Sequence, residues 1–309
     1  MGIELLGKTN IDFIGRRKYA FILSAILVSL GIFSLVQMWR GEANLGIDFA
    51  GGTSVQLKFE KPFQLDKARH ALDLNGFKDS ELQQFTEGNK LLIQIKKSET
   101  AGTEGKVAEK ILAVFTKEFA DNKFVVDSTT EIGPKVGKSL RDDALIAVIL
   151  SAIGMIIYIA WRFEFSFGVA AAAATFHDVL SVLGIFYLLG KEVNLLLVTS
   201  LLTLAGYSLT DTVVVYDRIR ENLRLRPRDP LDQVMNSSIN EVLSRTIVTS
   251  LTVFMVCAAL VFFGGEVIHD FSLALLIGVV IGTYSSIFVA SPIVYEWRKG
   301  KKVKIRTKR

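Results

Sequence analysis

Asp211 is the residue of this sequence best placed to do chemistry inside a membrane. It lies in AGYSLTDTVVVY (Ala205–Tyr216), part of a long apolar block whose cytoplasmic edge Tyr216 marks. A carboxylate in hydrocarbon is costly, and burial disfavours its charged form. Small and hydroxyl side chains such as Gly206 and Thr210 flank it, so water or a second helix can approach closely. We predict that Asp211 carries protons; a static hydrogen-bonding group is the alternative.

Arg245 is the basic residue that we expect to act with Asp211. It begins the fifth apolar block, which runs opposite to the block of Asp211, so we expect both at a similar depth. Thr249 and Thr252 follow at i+4 and i+7 and extend a polar stripe. We predict a proton pathway of Asp211, Arg245, Thr249 and Thr210. An arginine that reaches the interface and binds lipid phosphate is the alternative.

His177 and Asp178 form a second candidate near the middle of the third apolar block, with Ser181 one turn further on. A histidine beside a carboxylate can relay protons. The same two residues could instead form a packed pair or a contact between helices or subunits, and all of these alternatives stay open.

Sequence features of enzymes are missing. His70 stands alone on a predicted helix, and no cluster has the spacing of metal ligands. The stretch Gly102–Gly105 lacks the lysine and length of a phosphate-binding loop. We see no nucleophile beside a base, and we predict no metal, no cofactor and no enzymatic activity.

Six apolar blocks must position these residues. Each is long enough to cross a hydrocarbon layer of about 30 Å as a helix, which satisfies its own backbone hydrogen bonds. They are Tyr19–Trp39, Ala144–Trp161, Phe165–Leu189, Val193–Tyr216, Thr246–Phe263 and Phe271–Trp297. The sequence therefore predicts an α-helical polytopic membrane protein with six transmembrane helices.

Basic residues are distributed unevenly between the blocks. They precede the first block, follow the second and the fourth, and fill the tail from Arg298, whereas the stretch 264–270 has no Lys or Arg. This positive-inside pattern predicts that both termini are cytoplasmic. A nucleic-acid-binding tail is disfavoured, because basic clusters beside a span already bind anionic lipid.

The polar region between the first two blocks is too long for a loop. Its patterns predict strands and helices in the order β-α-β-β-α-β, an α+β ferredoxin-like arrangement. The predicted elements are Thr53–Phe59, Leu65–Gly76, Glu81–Phe85, Leu91–Ile95, Glu104–Ala120 and Phe124–Ile132, with a hairpin turn at Glu87-Gly88-Asn89. We expect four parts: a cytoplasmic N-terminus with the first span (1–39), an extracytoplasmic domain (40–143), spans two to six (144–297) and a basic cytoplasmic tail (298–309).

Four stretches resemble the signature motifs of the SecF branch of the SecD/SecF family, within the resistance-nodulation-division superfamily. They are LGIDFAGGT (Leu45–Thr53), AGYSLTDTVVVYDRIREN (Ala205–Asn222), SINEVLSRTIVTSLT (Ser238–Thr252) and GTYSSIFVASP (Gly282–Pro292). The resemblance implies a bacterial inner-membrane protein that pairs with a SecD-like subunit beside the SecYEG channel. It implies use of the proton-motive force to promote late stages of preprotein export.

The resemblance also implies roles for single residues. In the family, an aspartate of the fourth span and an arginine of the fifth are linked to proton passage, and these map onto Asp211 and Arg245. Thr210 departs from the family, in which Asn is common. Further motif residues, expected to serve conformation, are Asp48, Gly51, Gly52, Gly206, Asp217 and Arg218. We expect Asp217 and Arg218 to open a cytoplasmic loop.

Two other functions compete with this interpretation. One is a proton-driven half-transporter of the same superfamily that exports lipid or small molecules, for which twelve spans or a dimer is expected. The other is a scaffold that only stabilises a translocation channel. A scaffold needs no buried Asp–Arg pair, so charge-neutral substitution separates it from a proton-driven subunit.

Overall fold

A computed structural model describes residues 9–40, 44–78, 80–85, 89–96 and 107–299. The chain divides into two compact units: the α+β unit contains Leu45–Ala147 and Glu192–Leu195, and the helical unit contains the rest. In chain order the elements are α1 (Arg17–Arg40), α2 (Ile47–Ala50), β1 (Gly52–Phe59), α3 (Leu65–Leu74), β2 (Glu81–Phe85), β3 (Lys90–Lys96), α4 (Val107–Glu118), β4 (Phe124–Ile132), α5 (Pro134–Arg162), α6 (Phe165–Leu188), α7 (Leu195–Leu225), α8 (Leu231–Phe263), α9 (Glu266–Ser285), a π-helical segment (Ser286–Ala290) and α10 (Ser291–Arg298). The predicted turn at Glu87-Gly88 and the tail from residue 300 lie outside the described residues.

Six helices in the described ranges are long and apolar enough to cross a membrane, which confirms the predicted fold class. They are α1, α5, α6, α7, α8 and the continuous helix formed by α9, the π-helical segment and α10. Helices α6 and α7 carry many buried side chains, whereas α1 and α5 expose most of theirs.

Several helices extend beyond the apolar blocks. Asp217 and Arg218 do not open a loop as predicted, because α7 continues to Leu225. Pairs at i,i+3 support this polar extension: Arg218 lies 2.6 Å from Glu221, and Asp217 forms the same kind of pair with Arg220. Hydropathy detects the apolar part of a helix and misses such an extension.

Tyr216 belongs to the core of the helical unit, although the sequence places it at the edge of a span. Its side chain is fully buried. Its hydroxyl donates a hydrogen bond to Ala290 O at 3.2 Å, and its ring meets Phe167 edge-on at 4.9 Å. This bond satisfies the hydroxyl and joins α7 to the π-helical segment.

Glycines bring α1 and α6 into backbone contact. A Cβ on Gly31 would lie 2.2 Å from Leu180 O, and a Cβ on Gly184 would lie 2.6 Å from Gly31 N. Small residues at such crossings let two helices pack closely in a membrane.

The segment before α1 is held against α8. Asn240 accepts from Ile11 N and donates to Ile11 O, both at 2.9 Å. Asn236 donates to Asp12 Oδ1 at 2.8 Å. The Gly15 N–H and this Asn236 amide hold the pKa of Asp12 below its usual range. The N-terminal segment is thereby attached to the helix that carries Arg245.

The α+β unit contains the predicted split βαβ arrangement. Its four strands are antiparallel in the order β2-β3-β1-β4. Val55 of β1 pairs with Ile93 of β3, and both side chains are buried with Ile111 and Phe115 of α4. Alternation in the strands and helical spacing in α4 build this core, as the sequence predicts.

Candidate functional site

Three helices bring hydroxyl groups to Asp211. The carboxyl group lies on α7 and is 7% exposed. Ser250 of α8 donates to Asp211 Oδ2 at 3.3 Å. Ser250 Oγ in turn accepts from Thr283 of α9 at 2.7 Å and from the Tyr207 hydroxyl at 3.4 Å. Thr283, Ser250 and Asp211 therefore form a hydroxyl chain that ends on a buried carboxylate.

The helical phase of α8 decides which of its polar residues reach Asp211. Thr246, Ser250 and Cys257 are buried, whereas Arg245 and Thr249 are exposed. The polar stripe that the sequence predicts from Arg245 to Thr249 therefore lies on the outward face of α8. The polar residues of its inward face, Thr246 and Ser250, are also four residues apart in the sequence, and this spacing indicates that they share a face.

The structure does not bring Arg245 to Asp211. Within the described ranges the Arg245 side chain forms no salt bridge. Ser250 contacts Asp211, and Ser238 contacts Asn222 at 2.9 Å, so α7 and α8 are antiparallel. From these two contacts, Arg245 on α8 is level with a position on α7 that is about five residues from Asp211. This separates Arg245 from Asp211 by roughly 7 Å along the helix axis.

The other three residues of the predicted proton pathway face outward. Thr210, Arg245 and Thr249 are exposed in this chain, and so is the motif residue Gly206. The hydroxyl groups bind their own helices: Thr210 donates to Gly206 O at 3.1 Å, and Thr249 donates to Arg245 O at 3.0 Å. Polar groups on α7 and α8 are therefore left uncovered within the spans.

A second carboxylate, Asp178, joins three helices. Its Oδ1 lies 2.9 Å from His177 Nδ1 on α6. Its Oδ2 accepts from Ser208 of α7 and, at 2.8 Å, from Ser285 of α9. Gly282 allows this approach, since a Cβ there would lie 3.1 Å from Ser208 Cβ. Asp178 is fully buried and well supplied with hydrogen bonds.

His177 is the less satisfied member of that pair. It is 4% exposed, and its Nε2 has no hydrogen-bond partner in the part of the chain that the structure describes. The Tyr284 ring lies 6.1 Å away, centroid to centroid. The imidazole therefore has a polar contact through Nδ1 and none through Nε2 among the described residues.

Asp217 and Arg218 belong to a charged network at the polar ends of α5, α7 and α8. Asp217 binds Arg162 at 2.7 Å and Arg220 at 3.1 Å. Arg218 donates to Glu241 of α8 at 2.5 Å. These ion pairs fix the helix ends relative to one another.

The predicted glycine motif turns the chain into β1. Gly51 has φ +76°, and Gly52 has φ +151° with its Cβ position only 2.2 Å from Ile95 O. A side chain at Gly52 would collide with the backbone of β3. Asp48 Oδ2 accepts a hydrogen bond from Leu195 N at 3.0 Å.

A cavity of about 580 Å³ opens beside the hydroxyl chain. Ser250 and Thr283 line it together with other side chains of α8 and α9, among them Phe254 and Tyr284. No group of three or more His, Cys, Asp or Glu side chains suited to a metal occurs among the residues that the structure describes.

Two regions of this chain match known protein families. The family described as "Protein export membrane protein SecD/SecF, C-terminal" matches residues 111–300, and the SecD/SecF GG motif matches residues 43–63. The protein translocase subunit SecF of Thermodesulfovibrio yellowstonii is 51% identical, over 98% of this chain and 99% of the relative. The SecF of Calditerrivibrio nitroreducens is 43% identical, over 95% and 96%.

Solved structures show the same fold. The crystal structure of SecDF from Thermus thermophilus, a translocon-associated membrane protein, matches with a TM-score of 0.83 at 34% identity, over 96% of this chain. SecDF in a super-membrane-facing form matches with a TM-score of 0.68 at 34% identity, over 95% of this chain. This chain spans only 40% and 39% of those two chains. By its motifs, its six spans and its α+β sheet, this chain belongs to the SecF family of protein translocase subunits.

Proposed function

We propose that this chain is the SecF subunit of the Sec preprotein translocase and that it uses the proton-motive force, with a SecD-like partner, to promote late stages of protein export. The observation that carries the proposal is Asp211, buried in a span at the end of a hydroxyl chain. The half-transporter alternative is not favoured, because relatives named SecF match over nearly their whole length. The relatives are named as translocase subunits, that is, as components of a transport system.

The proposed location is the bacterial cytoplasmic membrane, with both termini in the cytoplasm and the α+β unit outside. The uneven distribution of Lys and Arg supports this orientation. The α+β unit is then on the side of the membrane where a preprotein emerges from the SecYEG channel. We propose both the channel and the preprotein as partners.

The uncovered polar groups of α7 and α8 support a membrane-embedded partner. Thr210, Arg245 and Thr249 are exposed within spans, where a charged side chain facing lipid is costly. A SecD-like subunit that covers this face removes the cost and supplies acceptors for the Arg245 guanidinium. The SecDF structure, with both names in one longer chain, agrees with such a pairing.

In the proposed mechanism, a proton from the outer side reaches Asp211 through hydroxyl groups and water. Protonation abolishes the attraction between Asp211 and Arg245, and the helices repack. In the present structure Ser250, and not Arg245, contacts Asp211, so the proposed attraction requires a different arrangement of α7 and α8. Transfer of one charge supplies about 2.3 kcal/mol per 100 mV, a bias of roughly fiftyfold on two states.

The deciding experiment is preprotein export by inverted vesicles with and without an imposed proton gradient. Asp211→Asn keeps the size of the side chain but cannot change its charge, so the gradient-stimulated part of export should be lost and the ATP-driven part retained. Asp229→Asn, at an exposed loop position, is the matched control. Full gradient stimulation in Asp211→Asn would show that this carboxyl is structural.

Substitution of Arg245 tests the second half of the mechanism. Arg245→Met should also abolish the gradient-stimulated part, because the buried carboxyl then stays protonated in both states. Arg245→Lys keeps the charge without the planar guanidinium, so partial stimulation is expected if charge is what matters. Wild-type stimulation in Arg245→Met would assign the arginine to lipid contact instead.

A further inference from the structure

The connection between α6 and α7 is bound to the α+β unit. Val193 is buried and forms a parallel bridge with Leu45, and Gly46 N donates to Val193 O at 3.0 Å. Asp48 Oδ2 accepts from Leu195 N, which begins α7. Backbone and side-chain hydrogen bonds therefore hold Glu192–Leu195, and with it the first residue of α7, on this unit.

Glu192 adds a carboxyl–carboxyl contact to this attachment. Its side chain hydrogen-bonds the Glu81 carboxyl group of β2. Gln94 of β3, with its amide turned so that the nitrogen donates, lies 2.6 Å from Glu192 Oε1. Lys96 Nζ lies 2.8 Å from Glu81 Oε1. A hydrogen bond between two carboxyl groups requires one proton, and Lys96 favours the charge on Glu81, so the proton belongs to Glu192.

The surroundings favour the neutral form of Glu192. Burial, and then the hydrogen bond and negative charge of Glu81, raise the pKa of Glu192 to about 8, against the opposing effects of Lys96 and Gln94. Of the other charged groups nearby, Asp48 binds Leu195 N, and Lys191 binds Asp270 at 2.8 Å.

We propose that Glu192 is a positioning residue of the export cycle: its protonated side chain holds the α6–α7 connection, and through it the start of α7, on the β2–β3 edge of the α+β unit. The role in export rests on the proposed function, whereas the attachment itself does not. Since α7 carries Asp211, the attachment links the unit that would meet a preprotein to the helix that would receive the proton.

The attachment should depend on pH in a defined direction. The pKa of Glu192 is raised from 4.5 to about 8 in the attached state. The stabilisation of the attachment by protonated Glu192 is therefore complete below pH 4.5, declines as pH rises, and is lost above about pH 8. One proton gives a change of up to about tenfold in the attachment equilibrium per pH unit within this window. A proton-rich outer face favours attachment, and an alkaline one favours release.

Amide hydrogen exchange on the full chain tests the attachment. Protection of the Gly46 and Leu195 amides, both donors in the attachment, should fall between pH 6 and 8.5 in the wild type relative to Glu192→Gln in the same buffers. Glu192→Gln mimics the protonated group and should remain protected throughout, whereas Glu192→Ala should be unprotected throughout. An equal pH response in the wild type and Glu192→Gln would overturn the proposal.

Export by the same variants tests the coupling. Gradient-stimulated export should drop severalfold in Glu192→Ala and be restored in Glu192→Gln. Full stimulation in an unprotected Glu192→Ala would overturn the coupling role. This result is distinguishable from failure of the proposed function, because that function is tested by Asp211→Asn with Glu192 intact.

Discussion

Ser250 is the side chain that connects Asp211 with the rest of the bundle. It donates to the carboxyl group and accepts from Thr283. Ser250→Ala should reduce gradient-stimulated export severalfold, because it interrupts the hydroxyl chain and leaves a buried carboxylate without its donor, at a cost of about 1–3 kcal/mol.

The matched control for Ser250→Ala is Ser29→Ala on α1. Ser29 is exposed, and its hydroxyl donates only to Ala25 O of its own helix. Export in inverted vesicles should be unchanged in this control. Equal gradient stimulation in Ser250→Ala and wild type would exclude Ser250 from the pathway.

Single residues differ in how far the sequence reveals their surroundings. The burial of Asp211 follows from a lone carboxylate in an apolar block, and small neighbours predict close helix contact. The separation of Arg245 from Asp211 depends on the register between two antiparallel helices, which no local pattern encodes. Ser250 was missed because one step along a helix, about 100°, divides the inward face from the outward face occupied by Thr249.

At the scale of elements, the crossing of α1 and α6 depends on Gly31. Gly31→Ala would place a methyl group 2.2 Å from the Leu180 carbonyl oxygen, so the two helices must move apart. We expect a loss of about 1–3 kcal/mol in the free energy of unfolding. Thermal unfolding in mild detergent measures this as a lowered Tm.

Gly154→Ala on α5 is the control for the crossing. A Cβ at Gly154 meets nothing within 4 Å, so only helix propensity changes, in favour of alanine by up to about 1 kcal/mol. If the two variants had the same Tm, close packing at Gly31 would not be what holds α1 against α6.

Elements were predicted best where one physical signal sufficed. Length and apolarity gave the six spans, and the β-α-β-β-α-β order gave the sheet. The ends of α7 and α8 were missed because ion pairs such as Arg218–Glu241 stabilise polar helix that hydropathy does not register. The attachment of Glu192–Leu195 to the α+β unit joins segments far apart in the chain, so its sequence neighbours give no indication of it.

At the scale of the whole molecule, orientation in the membrane is open to direct test. Reporter fusions after Asn89, Glu164 and Arg228 should report outside, inside and inside, because the basic clusters favour the cytoplasm. A compartment-sensitive enzyme fused at each position gives the measurement. An inside signal at Asn89 would overturn the proposed orientation.

Assembly is the second prediction at this scale. A tagged chain extracted from its native membrane in mild detergent should bring down a second, larger six-span protein, since Arg245 and its polar neighbours are uncovered in this chain alone. Arg245→Met should weaken the recovery of that protein if the guanidinium contacts it. A monomer that alone supports gradient-stimulated export would contradict an obligate pair.

The π-helical segment Ser286–Ala290 has a consequence for the rotational phase of the last span. In a regular α-helix, residues nine apart point in opposite directions, because each step turns about 100°. Ser285, which binds Asp178, and Val294 are nine apart, yet both are fully buried. The wider turn of a π-helix absorbs about one extra residue. Regular α-helical winding over the same residues would turn the end of the chain by about 100° and take Val294 out of the interior, whereas deleting one residue here would restore regular winding and leave both Ser285 and Val294 facing inward.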